Sequence, residues 1–193
     1  MDKPLFTLDT KSYYFNNALN LIPETSFYEL GLIISIVSWY LLTDSASLMR
    51  GGFYQVHGHV LEKLPIPNAN PEQRAHIAQL AETCQTAAEA RRNAEVAFTR
   101  RIPDLAGTSQ IKLSTKLQQW WLLDFAGFRT EILKSFKAEI PLKDRNDWQD
   151  LFTQQQSLIR ELSQHIQLAE QQLNRAVYTL FDLTDAEIAL IEM

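Results

Sequence analysis

The sequence predicts an α+β protein that is mostly α. A small N-terminal domain, a few strands around one buried helix (residues 1–70), leads into a long antiparallel helical hairpin with a helical insertion at its tip (residues 71–193). Three observations carry this expectation. Residues before Pro65 turn and alternate as short strands do. One stretch within them, Phe27 to Leu42, is apolar on every face. Finally, residues 71–102 and 146–180 both repeat apolar or small residues at steps of three and four, the seam of paired helices.

Within the first domain, Leu5–Leu8, Ser12–Phe15 and Leu19–Ile22 are β-prone, and Asn16 and Asn17 offer a turn between them. Ser26 and Glu29 form an S-x-x-E capping box that opens a helix through about Leu42, since the serine can accept a backbone N–H while the glutamate reaches back to the cap. Residues 43–52 read as a polar loop ending in Arg50-Gly51-Gly52. A strand over Phe53–Val60 would set Tyr54, Val56 and Val60 on one side and Gln55, His57 and His59 on the other.

Pro65 and Pro67 hold the chain extended before Asn70 caps the next helix. Pro71 fits the first helical position, where a missing N–H costs nothing, and Gln73 completes the capping box. The helix runs to about Ile102, where Pro103 stops it. Its seam is Ile77, Leu80, Cys84, Ala87, Arg91, Ala94 and Phe98; the second rod contributes Phe152, Ile159, Leu162, Ile166, Ala169, Leu173, Ala176 and Leu180. At 1.5 Å per residue the rods are about 48 and 52 Å long, a match that suggests an antiparallel pair. Pairing between two chains would show the same heptads, so a homodimer stays open.

The insertion, 104–145, contains two short helices capped by Ser114 and Asp124 and crowded with Trp120, Trp121, Phe125, Phe128 and Phe136. Lys112, Lys116, Lys134 and Lys137 surround this cluster. Such a tip either clamps phosphates, docks on a methyltransferase domain, or is a self-packed cap with solvated lysines. A second capping box, Thr184 with Glu187, opens a last helix over 184–192.

Composition narrows the function. With 193 residues, 46% hydrophobic and 21% charged, the chain can bury a core of ordinary size. A net charge of −5 argues against indiscriminate coating of nucleic acid. The total hides a gradient: residues 71–145 hold 12 Lys and Arg against 9 Asp and Glu, a balance of +3, and residues 146–193 hold 2 against 8, a balance of −6. One cysteine, Cys84, excludes an internal disulfide and fits a reducing, cytoplasmic compartment. The longest uncharged apolar run, Leu30–Leu42, is too short to span a bilayer, so no membrane is expected.

No catalytic residue is expected. Gly51-Gly52 does not make a G-x-G-x-x-G turn, Pro103-Asp104 with Gln110-Ile111-Lys112 only faintly echoes a metal-dependent nuclease, and no serine or cysteine has an evident histidine base. His57-x-His59 would place two imidazoles together, but no further ligands complete a zinc site.

The run P-I-P then P-E-Q, followed by Ile77 and Leu80, resembles the exit from a target-recognition domain in type I restriction specificity subunits. It is similar also to the C-terminal specificity region of type IIG restriction enzymes and related DNA adenine methyltransferases. G-G-F-Y-Q-V-H-G-H-V-L-E-K-L-P-I-P upstream, and W-W-L-L-D-F-A-G-F, N-D-W-Q-D-L-F and A-V-Y-T-L-F-D-L-T-D-A-E-I-A-L-I-E downstream, extend the likeness over most of the chain. The resemblance implies that residues 1–70 are part of a target-recognition domain and that Met1 begins part-way through it. It implies too that the hairpin is a spacer, and that the function is non-catalytic recognition of double-stranded DNA on behalf of a methyltransferase domain or subunit. S-adenosylmethionine is then expected only on that partner, whose asparagine-proline-proline-aromatic motif is absent here. Lys11, Arg50, Gln55, His57 and His59 become candidate DNA contacts, since amides and guanidinium groups read base edges. The alternative is a solvated strand face. On that alternative the chain is a protein–protein interaction or dimerisation module with no DNA affinity.

Overall fold

The computed structural model describes residues 6–10, 12, 22–48, 54–106 and 112–193. Eight α-helices follow in order among these residues: α1 (Phe27–Ile34), α2 (Ile36–Ser45), α3 (Gly58–Leu61), α4 (Pro71–Thr99), α5 (Thr115–Gln118), α6 (Phe125–Phe136), α7 (Arg145–Leu180) and α8 (Asp185–Ile191). Helix makes up 73% of the structure, which overturns the α+β expectation. The strand pairing among the described residues is one two-residue antiparallel ladder, Ser47–Leu48 against Tyr54–Gln55, and no sheet layer forms.

The expected strand over Phe53–Val60 fails for a local reason. Its alternation skips Gly58, which has no side chain to bury, while Val56 and Val60 are also one helical turn apart. The chain takes the helical solution: His57 caps α3, its carbonyl accepting from the Val60 and Leu61 N–H groups at 2.9 and 3.3 Å. The other expected strands fall largely outside the described residues. Thr7 and Leu8, which are described, lie instead against α4, where the Gln85 side chain accepts from the Leu8 N–H at 2.8 Å and donates to its carbonyl at 2.9 Å.

The apolar stretch expected as one helix to Leu42 is two, bent by 61°. Ser35 makes the break. Its hydroxyl and that of Ser38 both donate to the Leu32 carbonyl at 2.7 Å, and the Ser35 N–H adds a third bond at 3.2 Å. The serine oxygen then accepts from the Ser38 N–H, capping α2, while the Ile36 N–H donates to Asn174 Oδ1 at 3.0 Å. Hydroxyls therefore compete with the helical ladder and win. No single helix is long and apolar enough to cross a membrane.

The chain divides into two compact units, Met1–Gln85 with Ile166–Met193 and Thr86–His165. In the first, Ile77 and Leu80 from the start of α4 share a core with Leu173, Val177 and Tyr178 from the end of α7, and with Tyr28, Leu32 and Val37. Gly31 sits where α1 comes closest: a Cβ there would lie 2.6 Å from Ile77 Cγ2. In the second, Ala94 and Phe98 from the end of α4 share a core with Phe152 and Ile159 from the start of α7. Each unit thus packs one part of α4 against one part of α7 of the same chain.

Candidate functional site

The joint between the proline-rich segment and α4 is built from side chains in the first unit. Asn70 and Gln73 cap α4 reciprocally, at 2.9 and 3.0 Å. The Tyr28 hydroxyl donates to the Pro67 carbonyl at 3.1 Å, and the Arg74 guanidinium lies 4.5 Å over the Tyr28 ring and 4.0 Å from Glu29. Burial pushes the Glu29 carboxyl up, but hydrogen bonds from Ser26 and the nearby Arg74 outweigh it and hold the group below the usual carboxylate range. The segment Pro65–Pro67 is thus tied to α1 before α4 starts.

Beside this joint is a cavity of about 310 Å³, lined mainly by Leu32, Ile33, Leu61, Leu64, Pro65 and Ile66. Three of its polar members have partners: Thr25 donates to the Ile22 carbonyl, Ser38 to Leu32, and Glu29 accepts from Ser26. A second, open groove of about 550 Å³ runs past His76, Ile77, Arg175 and Ala176. Among the described residues, no three His, Cys, Asp or Glu side chains come together as metal ligands.

The candidate DNA contacts do not form a strand face. His57 and His59 are exposed and stack on one another at 5.6 Å with their planes 13° apart, His57 as the extended N-cap of α3 and His59 within its first turn. Lys11 and Arg50 lie outside the described residues, and of Gln55 only the backbone is described.

The tip belongs to the second unit. Phe98, Trp120, Phe128 and Phe152 pack ring on ring at 4.0 to 5.9 Å and are essentially inaccessible. Ser114 and Asp124 cap α5 and α6 through the Leu117 and Gly127 N–H groups. Lys116 and Lys134, from α5 and α6, both reach the nearly buried Glu131, at 3.5 and 3.1 Å, and the hydrogen bond from Lys134 followed by the charge of Lys116 lowers the Glu131 carboxyl. Two of the four candidate phosphate contacts therefore share one carboxylate, which offsets one of their two charges. Lys112 and Lys137 are exposed.

The proposed seam is the best-defined part. Ile77, Phe98 and Leu173 are 1% exposed, Ile159 4%, Cys84 6% and Leu80 8%, while Leu162 and Ile166 are half-buried. Burial, with Glu170 nearby, pushes the Cys84 thiol up to about 11, which makes it a packed side chain and a poor nucleophile. Arg91 leaves the seam to bind Glu95 at 2.9 Å.

Sequence reasoning missed the polar staples. Gln156 donates to the Trp121 and Leu123 carbonyls at 2.9 and 2.7 Å, anchoring the turn between α5 and α6 onto α7, and Asn174 does the same for the α1–α2 break. A glutamine or asparagine on the core side of an otherwise apolar repeat was the available signal.

The comparison with known families rests on this helical portion. A family described as a domain of unknown function, DUF8810, matches residues 70–177, more than half the chain. The chain belongs to the DUF8810 family. That match begins at the Asn70 cap and ends within α7, so the DUF8810 region contains α4, the insertion and α7 as far as Val177. No curated protein and no solved structure matches the chain.

Proposed function

We propose that this chain is a non-catalytic DNA-specificity and spacer region of a restriction-modification or phage-defence system, one that positions a DNA adenine methyltransferase or nuclease domain on its duplex site. The observation that supports this reading is the packing of α4 against α7 within each unit, in the segment that follows the P-I-P exit. The joint supports it: hydrogen bonds and the Arg74–Tyr28 stack fix the point where the spacer leaves the preceding residues. On this reading recognition uses helices and connecting segments rather than a sheet. S-adenosylmethionine belongs to the catalytic partner, and the setting is the cytoplasm, in keeping with the reduced Cys84.

Fluorescence anisotropy with labelled duplex DNA tests the proposal across 50–300 mM salt. Binding should weaken steeply, by about 0.9 decades of affinity per decade of salt for each phosphate contacted. Lys112→Ala with Lys137→Ala should flatten that slope more than Lys116→Ala with Lys134→Ala, because Glu131 already offsets one of the second pair's two charges. Absence of binding at 50 mM salt would overturn the proposal.

A second reading is favoured by those same charges. Net charge of −5, the Lys116–Glu131–Lys134 cluster and the self-packed aromatic core all suit an interaction module without DNA affinity. Such a module would show no duplex binding, and its association with a protein partner would persist in salt.

A further inference from the structure

The cavity of about 310 Å³ beside the α1 joint lies wholly within the first unit. Its walls are mainly apolar, and the polar side chains among its described lining residues are Thr25, Glu29, Ser38 and Glu62. Toward a ligand, each of these can only accept. The Thr25 hydroxyl commits its one proton to the Ile22 carbonyl at 3.2 Å, and the Ser38 hydroxyl commits its own to the Leu32 carbonyl at 2.7 Å, so lone pairs are all they have left. Glu29 accepts the Ser26 N–H and hydroxyl with Oε2, and its Oε1 has only Arg74 at 4.0 Å. Glu62 is exposed and forms no ion pair among the described residues. No lysine, arginine, histidine, amide, tyrosine or tryptophan is among the described lining residues, so no side chain there offers a donor.

This imbalance selects the chemistry of a ligand. An anion would set lone pairs against lone pairs and charge against like charge, whereas an ammonium brings donors and the opposite charge. Size follows from the volume, about twice the roughly 150 Å³ that houses a benzene ring and at the lower end of small-molecule sites. One ring with a short chain fills it. Ile66, which lines the cavity and is 63% exposed, offers such a ring apolar surface to cover. From the acceptor-only lining we propose that this cavity binds a small primary amine, its one-ring apolar body against the apolar walls and its ammonium on Glu62, the carboxylate with no competing cation. The inference does not depend on DNA binding.

Isothermal titration calorimetry on the full chain at neutral pH tests it with 4-phenylbutylamine, its neutral counterpart 4-phenylbutanol and its anionic counterpart 4-phenylbutyrate. The amine should bind with a dissociation constant below about 1 mM, the alcohol about fivefold more weakly, and the carboxylate more weakly still. Glu62→Gln, at an exposed position that leaves the fold intact, should remove most of the preference for amine over alcohol without changing the alcohol's affinity. Blocked lysine, with acetyl and methylamide ends, presents a partner protein's ammonium without the ring and should bind about tenfold more weakly than the amine. Nuclear Overhauser contacts from the ring protons should fall on the Ile33, Leu61 and Ile66 methyl groups. No binding of the amine, equal affinity for amine and alcohol, a preference indifferent to Glu62→Gln, or ring contacts elsewhere would each overturn the site. Blocked lysine binding as tightly as the amine would overturn a free small amine as its ligand.

Discussion

Replacing Gly31 by alanine tests how α1 is seated on the long helices of the first unit. A methyl group there would lie 2.6 Å from Ile77 Cγ2, 3.3 Å from the Ile77 carbonyl oxygen and 3.3 Å from Leu173 Cδ1. None of these neighbours gives way freely: Ile77 is β-branched within a helix and 1% exposed, and Leu173 is buried to the same extent. Overpacking of this kind costs about 1–3 kcal/mol, against about 0.5–1 kcal/mol gained by putting alanine in place of a helical glycine. The expected net loss is up to about 2.5 kcal/mol, read from urea denaturation followed by circular dichroism. Ile77→Leu moves the branch off the β carbon and removes Cγ2, so the double variant should lose less than the sum of the singles. If Gly31→Ala stabilises by the helix-propensity gain alone, with no coupling to Ile77, the close approach of α1 to α4 is refuted.

Three further predictions follow from the same packing. The Cys84 thiol, whose folded value is about 11 against an ordinary 9.0, contributes stability that is complete below pH 9 and is lost as pH rises through 11; Cys84→Ala should flatten that alkaline limb in urea titrations, and the native thiol should react slowly with a disulfide reagent at pH 8. Asn174→Ala leaves the Ile36 N–H without its side-chain acceptor and should cost about 1–3 kcal/mol in the same denaturation assay, more than Thr179→Ala at an exposed position of the same helix. Glu29 and Glu187 have carboxyls held below the usual range, by Ser26 with Arg74 and by Thr184 respectively, so each contributes stability present above about pH 4.5 and lost as pH falls through its folded value; Glu29→Gln with Glu187→Gln should lower stability at neutral pH and flatten its fall with acid, with no shift of the acid unfolding midpoint to lower pH.

What the sequence made legible was local chemistry. The reciprocal caps at Ser26–Glu29, Asn70–Gln73 and Thr184–Glu187 form where S-x-x-E, N-x-x-Q and T-x-x-E stand, because a cap needs only neighbours three residues apart. Periodicity likewise marked Ile77, Leu80, Leu173 and Phe98 as side chains that need partners, and they are buried. Choices that depend on distant partners were not legible. Ser35 breaks the apolar helix because Asn174, 138 residues on, accepts the N–H that the break exposes. At the tip, lysine spacing suggested a phosphate clamp, but Glu131 comes into range of Lys116 only when α5 and α6 pack.

The most direct test of the account is whether α4 and α7 pair within one molecule. In an equal mixture of ¹³C-labelled and unlabelled chains, methyl contacts between Ile77 and Leu173 and ring contacts between Phe98 and Phe152 should appear in the labelled chain's own spectrum. They should be absent from the isotope-filtered spectrum that reports only contacts between chains. Those contacts appearing between molecules instead would make the two long helices an intermolecular zipper and contradict the spacer built from a single chain.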